Sequence, residues 1–324
     1  VLGSSGAMGK YLIPLLADAG FQVDAVSLED VSDNIPGVNF INANAKDRNF
    51  LASILENNYQ GIVDFLIYNS SELPNFLPIL LDHCEHYIYL STYRIYANEE
   101  IPVKESSPRL IDCSNDQLLI NSDDYCIFKA RGENILRSMK AKNWSIVRPA
   151  ITYSLLRYQL ITLEAPNTVG RAFANKTVVL PEQAKNVQAT MSWAGDVAKM
   201  LANLLFNEKA LGETYNVCTA EHHSWGEIAD YYKDICNLNA LWIDKEEYLK
   251  ILCPDPYAIG ARWQLEYDRL FTRIMDNSKV LADCNMKQTE LMPLYDGLKY
   301  EISRCPKDFE WQNNEAMDQF LNSR

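Results

Sequence analysis

Along the first half of the chain, short apolar runs alternate with stretches of helical spacing. Val1-Leu2 leads into Gly3-Ser4-Ser5-Gly6-Ala7-Met8-Gly9, and the periodic apolar positions up to Asp18, closed by Gly20, predict strand, glycine turn and helix. Only two residues precede the first glycine, so the opening strand is expected to begin before this sequence does. Pro14 removes a backbone donor inside the helix, which predicts a bend or a tighter first turn. Gln22 to Ser27 and Val38 to Ile41 read as strands, and Phe50 to Glu56 as a helix. The unbroken apolar run Ile62 to Ile67 reads as a strand buried on both faces. Ser70 to His83 has helical spacing, and the buried strand Tyr87 to Leu90 delivers Ser91-Thr92 at its carboxyl end, where parallel sheets gather ligands.

Asn98 to Asp124 carries Pro102, Pro108 and many polar residues, and predicts a long surface connection before the helix that holds Tyr125 and Lys129. Trp144 to Val147 is another strand, closed by Arg148-Pro149, and beyond it the alternation loosens. A helix is expected from Trp193 to Leu205 and a late strand at Tyr215-Asn216-Val217. Ser224 with Glu227 three residues on forms a capping box for a helix reaching Cys236. The segment Asp255 to Arg273, broken up by Pro254, Pro256 and Gly260, supports no assignment. Alternating strands and helices predict an α/β fold with a doubly wound parallel sheet over residues 1–150, return segments near 192–217, and a smaller C-terminal lobe over 151–324.

A chain of 324 residues exceeds the usual single core, in keeping with that division. The formal charge of −13 repels phosphate backbones, and the densest basic stretch, Lys129 to Lys142, reads as one solvated helix face. Nucleic acid is therefore a disfavoured partner. No apolar run approaches the roughly 18–20 residues that span a bilayer, so no membrane is expected. The eight cysteines contain no C-x-x-C pair and read as reduced, mostly buried thiols, which points to a cytoplasmic location. The acceptor patterns at Asn69, Asn143 and Asn175 read as chance. His83 with His86, and His222-His223, lack completing ligands, and no metal is expected.

Candidate chemistry begins at Asp124-Tyr125-Cys126-Ile127-Phe128-Lys129. On a helix, Tyr125 and Lys129 share one face, placing a phenol of ordinary pKa about 10 beside an ammonium that favours its ionised form. Gly3, Gly6 and Gly9, between a strand and a helix, let a pyrophosphate approach the backbone at a helix N-terminus.

This order of glycine loop, Ser/Thr at a strand end and Tyr-x-x-x-Lys resembles the extended short-chain dehydrogenase/reductase family, over most of the chain. Arg148-Pro149-Ala150-Ile151-Thr152-Tyr153 resembles its Arg-Pro segment, Ser192-Trp193-Ala194-Gly195-Asp196-Val197-Ala198 its Asp-Val-Ala helix start, and Gly212 to Val217 its late strand. The resemblance implies a Rossmann-type fold whose first part binds a dinucleotide through Gly3, Ser5, Gly6, Met8, Gly9, Ser27, Lys129 and Pro149. It implies catalysis by Tyr125 as acid/base, by Lys129 holding nicotinamide ribose and lowering the phenol pKa, and by Thr92 hydrogen-bonded to the reacting oxygen. Ser91 is the understudy for Thr92. Ser91, Tyr153 and Arg157 are the candidate substrate contacts, with Arg171 a weaker diphosphate clamp.

Departures from the family pattern refine this picture. Ser27 stands where an Asp commonly grips the adenosine ribose, but Glu29 and Asp30 follow, favouring NAD while leaving NADP open. Asn44 replaces a frequent adenine-contacting Asp, and Ser154-Leu155 replaces a Gly-Pro. Tyr93-Arg94 stands where sugar-nucleotide dehydratases carry Asp-Glu, which argues against dehydration. Tyr68-Asn69-Ser70-Ser71 replaces a His-x-Ala-Ala segment, and the short excursion after it resembles an atypical branch of epimerase-like and RNA-binding members. The leading expectation is an NAD-dependent epimerase or oxidoreductase of a nucleotide sugar, with a homodimer left open. A non-catalytic or RNA-binding member and a reductase of a small carbonyl compound stay as alternatives.

Overall fold

The structure, a computed structural model, describes residues 1–31, 33–253, 255 and 258–324. Pro254 and Pro256, two breakers beside the unassigned segment, lie outside the described residues. Five strands open the chain: β1 (Val23–Ser27), β2 (Val38–Asn42), β3 (Tyr59–Asp64), β4 (Cys84–Leu90) and β5 (Trp144–Pro149). Strand Glu213–Val217 returns to pair with β5, and β5, β4 and β3 continue the parallel ladder. β1 and β2 form a second parallel ladder, and Leu2 bridges Val26 of β1 on one side and Asp64 of β3 on the other. One parallel sheet therefore runs β2, β1, Leu2, β3, β4, β5 and Glu213–Val217. Strand order reverses at Leu2, so the turn after it opens into the crevice where such sheets bind ligands.

Helices α1 (Gly9–Asp18), α2 (Arg48–Leu55) and α3 (Leu73–Asp82) follow the first, third and fourth positions along the chain. On one face, Leu12, Ile13 and Leu16 of α1 pack with Val197, Leu201 and Leu204 of helix Ala194–Leu204. On the other, Leu77 and Leu80 of α3 and Leu136 of helix Tyr125–Ser138 cover Tyr87, Tyr89 and Ile146. Each fully buried leucine contributes about 1.5–3 kcal/mol, and both sheet faces are sealed. The apolar strand runs follow from that two-sided burial.

A further core gathers Tyr153, Tyr158, Val178, Leu180, Trp225, Tyr232, Tyr248 and Leu298. Strand Val178–Pro181 pairs in parallel with Ala240–Ile243, and Ile151–Tyr153 with Met191–Trp193. The expected capping box at Ser224 and Glu227 is formed. All eight cysteines are free. Among the described residues no helix is long and apolar enough to cross a membrane.

One local difference from the sequence expectation has a clear cause, and the expectation at Pro14 is met. The strand read as Ile62 to Ile67 is Tyr59–Asp64, because Asp64 accepts from the Leu66 amide at 2.9 Å and turns the chain out. Helix α1 runs through Pro14 and takes up the tighter first turn, with Tyr11 N–H donating to Met8 O at 3.2 Å.

Candidate active site

The glycine turn is built by backbone constraints. Gly3 holds φ +74, in the left-handed region, while the Gly3 and Ser4 amides both donate to Val26 O at 2.9 and 3.0 Å. A Cβ on Gly9 would stand 2.1 Å from Ser4 O, so only glycine lets α1 start this close to the turn. Gly6 is exposed, and a Cβ there would meet only Gly3 O, at 3.5 Å. No side chain caps the first turn of α1, and Ala7, Met8 and Gly9 at its start line the cavity described below.

Thr92 ends β4's run and caps a short 3-10 turn, its Oγ1 accepting from Arg94 N–H at 3.2 Å. Tyr125 opens helix Tyr125–Ser138 behind its N-cap Asp124, and Lys129 follows one turn later. Lys129 is 1% exposed and donates from Nζ to Leu90 O at 2.6 Å, with the ammonium 5.9 Å from the Tyr125 ring centroid. Burial lowers its pKa to about 8, against the pull of Asp64 and Glu133. The Tyr125 phenol is raised above its ordinary value, burial outweighing Arg94, Arg157 and the Thr92 hydroxyl, all of which lower it. Lys129 Nζ gives one of its three N–H groups to Leu90 O, and the guanidinium of Arg94 stands closer to the phenol ring, 5.4 Å from its centroid.

These groups share one cavity of about 350 Å³, lined by Gly3, Gly6, Met8, Gly9, Thr92, Tyr125, Lys129, Pro149 and Arg157 among others. Nine of the residues singled out in the sequence thus meet in one place. Ser5, Ser27, Ser91 and Tyr153 do not line it. Ser27 Oγ donates to Glu29 O at 2.7 Å, bending the chain after β1. Ser91 is fully buried and donates to Glu133 Oε1 at 2.6 Å, so its hydroxyl holds a charge network together and is not a substrate contact. Tyr153 is likewise removed from the substrate contacts: it is enclosed in the C-terminal core, its hydroxyl against Gly297. Arg171 is buried and paired to Asp318 at 2.9 Å, remote from the cavity lining.

Apart from Arg94, the wall facing the phenol comes from residues that the sequence left without a role. Arg94, Gln159, Glu164, Gln264 and Arg269 line it. Leu156 at φ +63 and Ile161 at φ +54 make tight turns that present Arg157 and Gln159. Arg269, on the π-helical turn Leu265–Arg269, donates to Ile161 O at 2.7 Å and Tyr93 Oη at 2.5 Å. Adjacent Asp268 pairs with Arg269, and lies 3.4 Å from Arg94 and 3.6 Å from Arg273. The cluster of Arg262, Arg269 and Arg273 in a segment of broken periodicity was the available signal.

Among the described residues, no group of three His, Cys, Asp or Glu side chains could hold a metal. His86 is instead bonded to Ser145 Oγ at 2.8 Å and to the Phe206 amide at 3.0 Å.

No protein-family model matches the sequence, and no curated protein matches it. Solved structures do. The epimerase Mth375 from Methanothermobacter thermautotrophicus superposes with TM-score 0.72 at 13% identity, covering 93% of this chain and 90% of its own. The dTDP-glucose 4,6-dehydratase of Bacillus anthracis, in complex with NAD, gives TM-score 0.70 at 14% identity over 93% and 94%. The UDP-glucose 4-epimerase of Thermus thermophilus, also with NAD, gives 0.68 at 16% over 93% and 96%. The chain has the Rossmann-type α/β fold of these epimerase and dehydratase structures.

Proposed function

We propose that this protein is an NAD-dependent epimerase, or a related oxidoreductase, acting on a nucleotide sugar. One observation carries the reading: the glycine turn at the strand-order reversal opens into the same cavity as Thr92, Tyr125 and Lys129. The residues fit a dinucleotide, because the open side of Gly6 leaves room for a pyrophosphate against the uncapped start of α1. Residues 1–150, with the return near 192–217, would hold the cofactor, and 151–324 mainly the substrate.

Bound nicotinamide would supply the hydride acceptor, and the chain's share is positioning and proton transfer. Gly3, Gly6, Met8, Gly9 and Pro149, which line the cavity, would hold the dinucleotide, with Ser5 of the same turn and Ser27 at the end of β1, both outside that lining, as its further contacts. Glu29 and Asp30 just beyond it disfavour a 2′-phosphate, and so favour NAD over NADP. Lys129 holds the nicotinamide ribose, Thr92 hydrogen-bonds the reacting oxygen and Tyr125 accepts or returns its proton. A buried phenol is a poor base unless cations offset burial, and Arg94 and Arg157 offset part of it. Tyr93-Arg94 in place of an acidic pair favours epimerisation or simple oxidation over dehydration.

Calorimetric titration with NAD and NADP tests the reading directly. Binding of NAD, tighter than NADP, is the expected result, and mass spectrometry of molecules copurifying with the protein identifies any retained nucleotide. Absence of binding to either cofactor would overturn the proposal.

A further inference from the structure

We infer that the substrate carries a carboxylate beside its reacting carbon, and that Arg94 and Arg157 bind it. This rests on the sugar-oxidoreductase reading above. Among the described residues lining the cavity, four are cationic, Arg94, Lys129, Arg157 and Arg269, and one is a carboxylate, Glu164. That local excess of positive charge lies within a chain of net charge −13.

The cations differ in what they still have to give. Lys129 is bonded to Leu90 O, and Arg269 to Ile161 O and Tyr93 Oη. Glu164 accepts from Gln159. Arg94 is ion-paired to Asp268 and Asp124, but among the described residues its guanidinium makes no hydrogen bond and its Nε is buried without a hydrogen-bond partner. Its nearest carboxylates, Asp268 at 3.4 Å and Asp124 at 3.6 Å, stand beyond hydrogen-bond length. Among the described residues Arg157 makes neither an ion pair nor a side-chain hydrogen bond, and it stands exposed on the cavity lining. Two planar donor sets therefore remain unspent, both flanking the phenol.

A guanidinium whose ion pairs are too long for hydrogen bonds keeps N–H groups to offer, and a planar, bidentate acceptor satisfies them best. Position decides which atom carries the anion. A group that reaches Arg94 while its neighbour meets Tyr125 must sit on the reacting carbon or the next one. Charge decides which anion it is, because Asp268 and Asp124 beside Arg94 would repel a dianionic phosphate more than a monoanionic carboxylate.

The test is calorimetric titration of the NAD-saturated protein with UDP-glucuronate against UDP-glucose, and UDP-galacturonate against UDP-galactose. At least one uronate is expected to bind roughly 10–100-fold tighter than its neutral partner. Arg94→Gln should erase most of that preference while NAD affinity is unchanged. Arg157→Gln, at an exposed site, should reduce it less. Arg94→Lys, which keeps charge but loses the fork, should retain part of it and serves if the Gln variant fails to fold. Equal affinities, no uronate binding to NAD-loaded protein, or full preference in a folded Arg94 variant overturns this inference and leaves the parent reading standing. A protein that binds no NAD removes both.

Discussion

The guanidinium of Arg94 lies 5.4 Å from the centroid of the Tyr125 ring, nearer than the Lys129 ammonium at 5.9 Å. The phenol sits between burial, which raises its pKa, and two guanidinium groups, which lower it. Removing Arg94 removes an offset and leaves the burial. In Arg94→Gln the phenol should therefore ionise at still higher pH than in the native protein. Ultraviolet difference titration at alkaline pH, taken against Tyr125→Phe to isolate one phenol from eighteen, measures it. An unchanged or lower pKa in Arg94→Gln would remove this account of the site.

Tyr125→Phe deletes one oxygen and keeps the ring that packs edge-on to Phe128, 5.4 Å between centroids. Turnover should fall by about 10²–10⁴ because the proton loses its acceptor, with NAD affinity and melting temperature close to native. Equal activity in the two proteins would move the acid/base role elsewhere.

What the sequence revealed of this site, and what it hid, divides by distance along the chain. Tyr125 and Lys129 are one helical turn apart, and Gly3, Gly6 and Gly9 lie in one turn, so short spacings, read together with the family resemblance, singled them out. Thr92 was legible because a buried apolar strand ends at it. Arg269, by contrast, meets Tyr93 across 176 residues, through a π-helical turn that has no apolar period to read. Tyr153 followed a recognisable Arg-Pro segment, yet Gly297, 144 residues on, leaves space that its ring fills. Local patterning placed the sheet and its first helices, while the wall facing the phenol depends on tertiary pairings between polar groups.

Gly6→Ala separates cofactor contact from folding. Its Cβ would meet nothing closer than Gly3 O at 3.5 Å, so stability should stay within about 0.5 kcal/mol of native, while NAD affinity falls. Gly9→Ala, whose Cβ would stand 2.1 Å from Ser4 O, should lower both. Thermal melts with and without NAD distinguish the two. Loss of stability in Gly6→Ala without loss of affinity would make the turn purely structural.

Arg148 and Glu133 are both about fully buried and joined through two hydrogen bonds, at 2.8 and 2.6 Å. Burial alone would raise the Glu133 pKa, but Arg148 overrides it and the net shift is downward. The pair's contribution is therefore present above the ordinary carboxylate range and lost as pH falls from there through the lower folded pKa. Arg148→Met, leaving a buried charge with only Ser91, Arg109 and Arg137 to answer it, should cost about 3 kcal/mol at neutral pH, and less in acid. The double variant Arg148→Met with Glu133→Leu should recover most of that loss in denaturant melts. A single variant as stable as native would show the network to be dispensable.

Lys129 supplies the last prediction, because the fold holds it at a cost. Its pKa of about 8, against 10.5 when unperturbed, means the unfolded chain binds an extra proton between those values. Stability from this group accordingly rises as pH climbs from 8 to 10.5, and the penalty is complete below 8. Lys129→Met keeps a similar apolar stem, removes the buried charge and gives up the bond to Leu90 O. The relief of roughly 3 kcal/mol exceeds the roughly 1–2 kcal/mol of a lost hydrogen bond. The apo variant should melt higher than native at neutral pH, with the gap closing above pH 10.5, yet turn over no substrate. A variant less stable than native at pH 7 would show that the ammonium supports the fold, and the case for its being kept there for chemistry would fail.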